Sequence, residues 1–131
     1  MAMQKVTGIG GVFIKARDPK AMAAWYEKHL GIVFGDQVYM SFKWVNENDP
    51  TEPGETVLSF FGEKNDYFDP STSPFMINFR VKDLEALVDQ LRSEGVEIIG
   101  DVGIYDYGKF GWCMDPEGNK IELWEPGDGK L

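Results

Sequence analysis

Glu122 is the side chain in this sequence whose position points most directly to chemistry. It lies in an alternating segment that, as a strand, would direct Lys120, Glu122 and Trp124 to one face. A carboxylate among aromatic side chains loses several kcal/mol of hydration unless it is paired, so we expect a partner such as Arg80, Lys120, a ligand or an ion. Left unpaired, it would have a raised proton affinity and could act as a general base next to a carbonyl.

Other residue types that support catalysis are sparse. The sole histidine, His29, falls late in a predicted helix beside charged residues, which favours a solvated position. The sole cysteine, Cys113, has no histidine near it in sequence, and we expect it to be buried packing. The glycines from Gly8 to Gly11 precede a strand rather than joining a strand to a helix, so they do not resemble a phosphate-binding loop.

Two similar segments provide the framework for these residues. The first is a strand from Gly11 to Asp18, where Asp18 and Pro19 are typical of a helix start, and the helix ends at Gly31. The same order recurs over 76–95, with Asp83 at the cap position. This internal duplication indicates two modules.

Further alternating segments predict strands at 38–45 and 56–62 in the first half, and at 96–99, 102–107, 109–114 and 120–125 in the second. Polar residues predict a loop over 46–55, and Pro116 with Gly118 predicts a hairpin turn. We therefore expect one domain, 1–131, with module one at about 7–62, a linker at 63–74 and module two at about 75–126.

The arrangement resembles the vicinal oxygen chelate superfamily, which includes glyoxalase I, bleomycin resistance proteins, extradiol dioxygenases and fosfomycin-resistance enzymes. The resemblance runs from Thr7 to Pro126, and it is carried mainly by the segment 18–31 and by the ending 115–123. It implies an α+β fold in which two tandem βαβββ modules form a curved, cup-shaped mixed β-sheet with helices outside. It also implies a homodimer.

In metal-dependent members of that superfamily, four inward-facing positions hold a divalent ion. The resemblance carries these positions onto Gly11, Ser59, Met76 and Glu122, of which only Glu122 is an anionic ligand. Zinc, nickel or iron requires several histidine or carboxylate donors. We therefore expect no family-type metal centre and no cofactor, while an alignment shifted by one or two residues would leave a divalent metal open.

Strand alternation assigns a set of mostly aromatic residues to the interior of the implied cup. The predicted ligand-binding residues are Phe13, Ser59, Phe61, Met76, Asn78, Arg80, Phe110, Trp112 and Trp124, with Tyr107 at the rim. Apolar walls with a few convergent polar groups are typical of a small-molecule site. The alternative is that these aromatic side chains only fill a core.

Composition limits the class of partner. The 131 residues carry a formal charge of −9, which disfavours nucleic acid, and 43% are apolar, enough for one core. No apolar run reaches the ~18 residues of a membrane span, and a single cysteine with no recognisable signal peptide predicts a cytoplasmic protein.

Three functions remain open from the sequence. The first is binding or sequestering a small molecule, uncharged or cationic, in the aromatic cup without a metal. The second is a lactoylglutathione-lyase-like lyase or isomerase with Glu122 as tentative catalytic base, although only Arg80, Asn78 or a tyrosine could then stabilise the oxyanion. The third is a structural or regulatory module without a ligand.

Overall fold

The computed structural model describes residues 5–45, 51 and 53–127, and it confirms the α+β fold expected from the sequence. The described residues form two helices and one mixed seven-stranded sheet. In chain order the elements are β1 (Val6–Ala16), α1 (Pro19–Leu30), β2 (Tyr39–Val45), β3 (Pro53–Gly62), β4 (Phe75–Val81), α2 (Leu84–Ser93), β5 (Gly103–Tyr105), β6 (Gly108–Met114) and β7 (Lys120–Pro126).

The sheet order β2-β3-β1-β4-β7-β6-β5 reflects the duplication. The first strands of the two halves, β1 and β4, pair antiparallel at the centre. The last strand of each half lies parallel to the first, β3 beside β1 and β7 beside β4. Each half thus repeats one local topology about the centre of the sheet.

Both helices begin as the sequence predicts. Asp18 Oδ1 accepts a hydrogen bond from Ala21 N at 3.1 Å, and Asp83 Oδ1 accepts one from Ala86 N at 3.2 Å. These bonds satisfy backbone donors that a helix start leaves without a partner. At the end of α1, Gly31 has a φ of 69°, the left-handed conformation that favours glycine.

Each helix covers its own half of the sheet with a separate apolar core. The core under α1 contains Phe34 and Phe60, with Ile14 packed against it. The core under α2 contains Leu84 and Leu123. Both helices therefore lie on the same side of the sheet and leave its other face to the site described below.

The structure differs from the predicted strands at several places, and the strand predicted at 102–107 is shortened to β5, Gly103–Tyr105. Residues 96–99 form only an isolated bridge between Ile98 and Cys113, because Gly100, with a φ of 69°, turns the chain away. Strand β1 begins at Val6, five residues before the predicted start, and an irregularity between Ile9 and Gly11 shifts its register against β4. Residues 31–38, all described, contain turns and bends, so module one has two strands after its helix and module two has three.

Part of the predicted loop at 46–55 lies outside the described residues, namely 46–50 and 52, while residues 53–55 belong to β3. Among the described residues, neither helix has the length and apolarity needed to span a membrane.

Candidate functional site

The face of the sheet opposite the helices carries nine of the ten predicted ligand-binding residues. Phe79, Cys113 and Leu123 belong to the core under α2, so their neighbours along each strand point the other way. We call this surface the helix-free face, and its residues include Phe13, Ser59, Phe61, Met76, Asn78, Arg80, Phe110, Trp112, Lys120, Glu122 and Trp124.

Glu122 is the centre of a buried hydrogen-bonded cluster on this face. Only 2% of its surface is exposed. Asn78 Nδ2 donates to its Oε1 at 2.6 Å, and Trp112 Nε1 donates to its Oε2 at 2.9 Å. The Tyr67 hydroxyl also donates to Oε2. Backbone register positions two of these donors, because Asn78 and Trp112 are the cross-strand partners of Glu122 on β4 and β6.

The three groups on the Glu122 carboxylate are all neutral, which sets the electrostatics of the cluster. Burial, the Glu122 charge and the hydrogen bond to Glu122 together raise the pKa of Tyr67 well above its usual range. Tyr67 therefore stays protonated and acts as a donor. Together the three hydrogen bonds fix the position of the Glu122 carboxylate oxygens.

Lys120 lies beside this cluster and binds the linker. Its Nζ donates to the Tyr67 carbonyl oxygen at 2.8 Å and lies 5.4 Å from the centre of the Tyr67 ring. The same ammonium is 5.7 Å from the Trp112 ring centre. Burial lowers the pKa of Lys120, although the nearby Glu122 charge opposes this effect.

Arg80, the other cationic partner expected for Glu122, lies against tryptophan rings. Its guanidinium carbon is 5.0 Å from the centre of Trp124 and 5.8 Å from that of Trp44, and NH2 donates to Pro53 O at 3.4 Å. Glu122 is therefore hydrogen-bonded to neutral donors and not to the cationic partner that the sequence predicts, because the long Arg80 and Lys120 side chains donate to other acceptors.

Next to Arg80 the aromatic side chains form a continuous row towards the sheet edge. Phe110 and Trp124 are stacked, with ring centres 6.1 Å apart and planes 4° apart. Tyr107, the predicted rim residue, lies in the turn between β5 and β6 and is 49% exposed, with its ring 5.9 Å from Phe110. Tyr105 stacks on Tyr107 at 5.2 Å.

The first half of the chain contributes the opposite wall. Phe13 pairs in register with Ser59 on β3 and with Met76 on β4, which is fully buried. The Phe13 and Phe61 rings lie 5.4 Å apart. This half provides aromatic surface, whereas the hydrogen bonds to Glu122 come from β4, β6 and the linker.

Sequence analysis missed three residues that complete the helix-free face. Tyr67 and the fully buried Phe68 belong to the predicted linker, and both rings contact Phe61, at 5.8 and 5.2 Å. Trp44 lies on β2 and contacts Arg80. Composition could have indicated Tyr67 and Phe68, since two adjacent aromatic residues are unusual in a loop that is otherwise polar.

Two polar atoms of the helix-free face are buried without a hydrogen-bond partner among the described residues, Asn78 Oδ1 and Trp124 Nε1. Such atoms each cost about 1–3 kcal/mol and are uncommon outside functional sites. Asn78 Oδ1 packs against Gly10, where a Cβ atom would overlap it and would lie 2.9 Å from Arg80 Cγ. Gly10 therefore permits the close approach of β1 to this cluster.

The remaining candidates lie away from the cluster. His29 is exposed on α1, with its ring 4.9 Å from Trp25. Cys113 is buried on the helix side, and burial raises the pKa of its thiol, which disfavours a nucleophile. A separate cleft of about 740 Å³ lies between β1, the start of α1 and the linker, lined in part by Lys15, Trp25 and Glu63.

The donor set at the family metal positions does not match a divalent ion. Gly11 has no side-chain donor, Met76 offers a thioether, and the Glu122 oxygens already accept three hydrogen bonds. In the part of the chain that the structure describes, no three His, Cys, Asp or Glu residues are grouped closely enough to hold a metal.

The fold and this site define a member of a large family of duplicated α+β domains. The chain belongs to the Glyoxalase/Bleomycin resistance protein/Dioxygenase superfamily, whose family model matches residues 8–123. A search of functionally curated proteins gave no significant match.

Solved structures with the same fold include two methylmalonyl-CoA epimerases. The Mycobacterium tuberculosis enzyme is 22% identical, with a TM-score of 0.60 over 98% of this chain and 93% of its own. A variant of the Streptomyces coelicolor enzyme in complex with 2-nitronate-propionyl-CoA is 18% identical, with a TM-score of 0.68 over 95% of this chain and 100% of its own.

A glyoxalase/bleomycin resistance protein/dioxygenase superfamily member from Vibrio splendidus 12B01 is 13% identical, with a TM-score of 0.54 over 94% of this chain and 99% of its own. At these identities the similarity concerns the fold alone, and the activity has to be argued from the side chains.

Proposed function

We propose that this protein binds an uncharged aromatic small molecule on the helix-free face, without a family-type metal centre, and that Glu122 serves as a fixed hydrogen-bond acceptor. The observation that carries the proposal is the buried Glu122 carboxylate with three neutral donors, Tyr67, Asn78 and Trp112. An ionised carboxylate held in this way is a strong acceptor of hydrogen bonds.

The walls around Glu122 suit a flat ligand. Trp112 is partly exposed beside the carboxylate, and Phe61 faces it from the first half of the sheet. Aromatic pairs contribute about 0.5–1.5 kcal/mol beyond the area that they bury. A carboxylate has about four lone-pair sites, and the chain fills three of those on Glu122, so a donor on the ligand could use the fourth and orient the ring.

Local charge favours an uncharged ligand over a cationic one. The chain as a whole carries −9, but three cations, Lys15, Arg80 and Lys120, lie against the aromatic rings, with Glu122 and two acidic linker residues near Lys120. These cations act on a bound ring at contact distance, whereas the field of distant charges is screened by salt over about 8–10 Å. A cationic ring stacked on Trp112 would lie close to the Lys120 ammonium.

The test is a titration with neutral one-ring and two-ring aromatic compounds that carry an N–H donor, namely aniline and indole. The indole N–H resonances of Trp112 and Trp124 should shift saturably, with dissociation constants at or below about 1 mM, a binding free energy of roughly −4 kcal/mol. Trp25, exposed on α1, serves as an internal control that should not shift. Absence of saturable shifts across the panel would contradict the proposal and favour a module without a ligand.

The competing function is proton abstraction by Glu122 in a lyase or isomerase. It is tested by solvent deuterium exchange into the hemithioacetal of methylglyoxal and glutathione, and into methylmalonyl-CoA, with and without added nickel or zinc. We expect no exchange above background. Exchange that disappears in Glu122→Gln, while a folded Glu117→Gln control retains it, would overturn the binding proposal.

A homodimer and a cytoplasmic location complete the proposal. Ile9 and Phe75, on the central strands β1 and β4, are 47% and 42% exposed on the helix side of the sheet. Exposed apolar side chains in such a position support contact with a second copy. Sedimentation equilibrium of the purified protein tests the dimer directly.

A further inference from the structure

Tyr67 occupies a slot whose walls belong to other parts of the chain. Its ring lies parallel to Phe61, with centres 5.8 Å apart and planes 10° apart, and nearly perpendicular to Trp112 at 6.3 Å. The Lys120 ammonium lies over the same ring, and the hydroxyl reaches Glu122 at the inner end. The walls are strand residues, whereas the occupant comes from the linker between β3 and β4.

The Tyr67 side chain is partly open to solvent. It is 36% exposed, while the next residue, Phe68, is fully buried and anchors the linker. The Tyr67 backbone is held separately, because its N–H donates to Asn65 Oδ1 at 2.8 Å and its carbonyl accepts from Lys120. Rotation of the ring towards solvent would therefore break neither backbone hydrogen bond of Tyr67 and would leave Phe68 buried.

We infer that this slot is a ligand subsite for a phenol, and that Tyr67 is an internal occupant which a phenolic ligand displaces. The chemistry that holds Tyr67 is the chemistry that would hold the ligand: a ring between Phe61 and Trp112, and a neutral hydroxyl that donates to Glu122. A phenolate would be repelled by the Glu122 carboxylate, and a cationic ring would approach Lys120. This inference rests on the proposed function and names its ligand class.

An internal occupant weakens the apparent affinity for an external ligand. If Tyr67 leaves the slot for a tenth of the time or less, the wild-type dissociation constant is raised about tenfold or more over that of an open slot. Tyr67→Ala should therefore bind a phenol at least tenfold more tightly. Tyr67→Phe, which keeps the ring but loses the hydrogen bond to Glu122, should tighten binding by a smaller factor.

The experiment uses p-cresol, which reproduces the tyrosine side chain, and toluene, which lacks the hydroxyl. Both are titrated into wild type, Tyr67→Ala and Tyr67→Phe, with the Trp112 indole N–H resonance as the reporter. In wild type labelled with 3-fluorotyrosine, the Tyr67 signal, assigned by its loss in Tyr67→Phe, should move to the shift of an exposed tyrosine as p-cresol saturates. Toluene should bind at least tenfold more weakly than p-cresol.

The outcomes separate this inference from the proposed function. If indole or aniline binds but p-cresol leaves the Tyr67 signal unmoved, the phenol subsite is wrong and the binding function stands. If p-cresol binds Tyr67→Ala but does not bind wild type even at about a hundred times the dissociation constant of that variant, it fills an artificial cavity, and the inference is equally wrong. If none of these compounds binds any variant, the proposed function fails as well. Should Tyr67→Ala not fold, Tyr67→Phe and the wild-type fluorine signal still decide the question.

Discussion

Asn78 and Glu122 are joined twice, once through the backbone and once through their side chains. They are Cα partners in the parallel pair β4 and β7, and Asn78 Nδ2 lies 2.6 Å from Glu122 Oε1. The donor is therefore positioned by the register of the sheet and does not depend on the linker. The Glu122 cluster thus has a rigid part from the strands and one replaceable donor, Tyr67.

Replacing Glu122 by Gln should destabilise the protein by about 1–3 kcal/mol, because the amide nitrogen would face Asn78 Nδ2 or Trp112 Nε1 and leave a buried donor unpaired. The measurement is urea unfolding followed by circular dichroism. Glu117→Gln, in the exposed turn between β6 and β7, removes the same charge and should change stability by less than about 0.5 kcal/mol. Equal effects of the two substitutions would argue against the buried cluster.

Tyr67 should make the protein sensitive to alkaline pH. An unfolded tyrosine ionises near pH 10, whereas the raised pKa of native Tyr67 keeps it protonated above that value. The contribution is fully present below pH 10 and is lost as the pH rises further, because only the unfolded state releases the proton. Unfolding free energies of Tyr67→Phe should therefore fall less between pH 10 and 12 than those of wild type.

The same feature can be observed without unfolding the protein. Phenolate absorbance at alkaline pH should show that one of the five tyrosines fails to ionise with the others while the fold persists. Full ionisation of all five in one step near pH 10 would show that the Tyr67 hydroxyl is not held on Glu122.

Gly10→Ala should disturb the cluster through packing alone. The new Cβ atom would overlap Asn78 Oδ1 and lie 3.0 Å from Trp124 Cε3, so strand β1 or these side chains must move. Overpacking of this kind costs about 1–3 kcal/mol. Gly62→Ala, at the end of β3, is the matched control because nothing lies within 4 Å of its Cβ, and we expect a change below about 0.5 kcal/mol by urea unfolding.

The two helix caps should contribute independently. Asp18→Ala and Asp83→Ala each remove one side-chain acceptor from a helix start, at an expected cost of about 1 kcal/mol. The caps share no partner, so the double variant should lose the sum of the two values to within about 0.5 kcal/mol. A double variant much less stable than this sum would show that the two halves are coupled through their helix starts.

The elements themselves could be predicted because their signals are local. Asp18 with Pro19 and Asp83 mark the helix starts through side-chain chemistry that operates within three residues. Alternation of side chains placed Asn78, Trp112 and Glu122 on one face. Where local signals conflicted, prediction was wrong, as at 96–99, where an alternating segment is stopped by Gly100.

The partners of Glu122 could not be predicted, because they lie far from it in the sequence and local residue patterns do not reveal such contacts. The register of β4 against β7 brings in Asn78 across an intervening helix and two strands. Tyr67 belongs to the linker, which is held in position by the burial of the adjacent Phe68. Charge alone predicts a cationic partner for Glu122. In the structure, the Lys120 ammonium donates its hydrogen bond to the Tyr67 carbonyl oxygen instead.

The antiparallel pairing of β1 with β4 joins two copies of one architecture whose side chains on the helix-free face differ. The copy formed by β4, β6 and β7 holds Glu122 and two of its donors, while the copy formed by β1 and β3 contributes Phe13, Phe61 and Ser59 to the same face. Substitution of Phe13 or Phe61 could thus alter ligand preference without changing Glu122. The duplication therefore leaves the two halves with the same parallel pairing of first and last strands but with different side chains on the helix-free face.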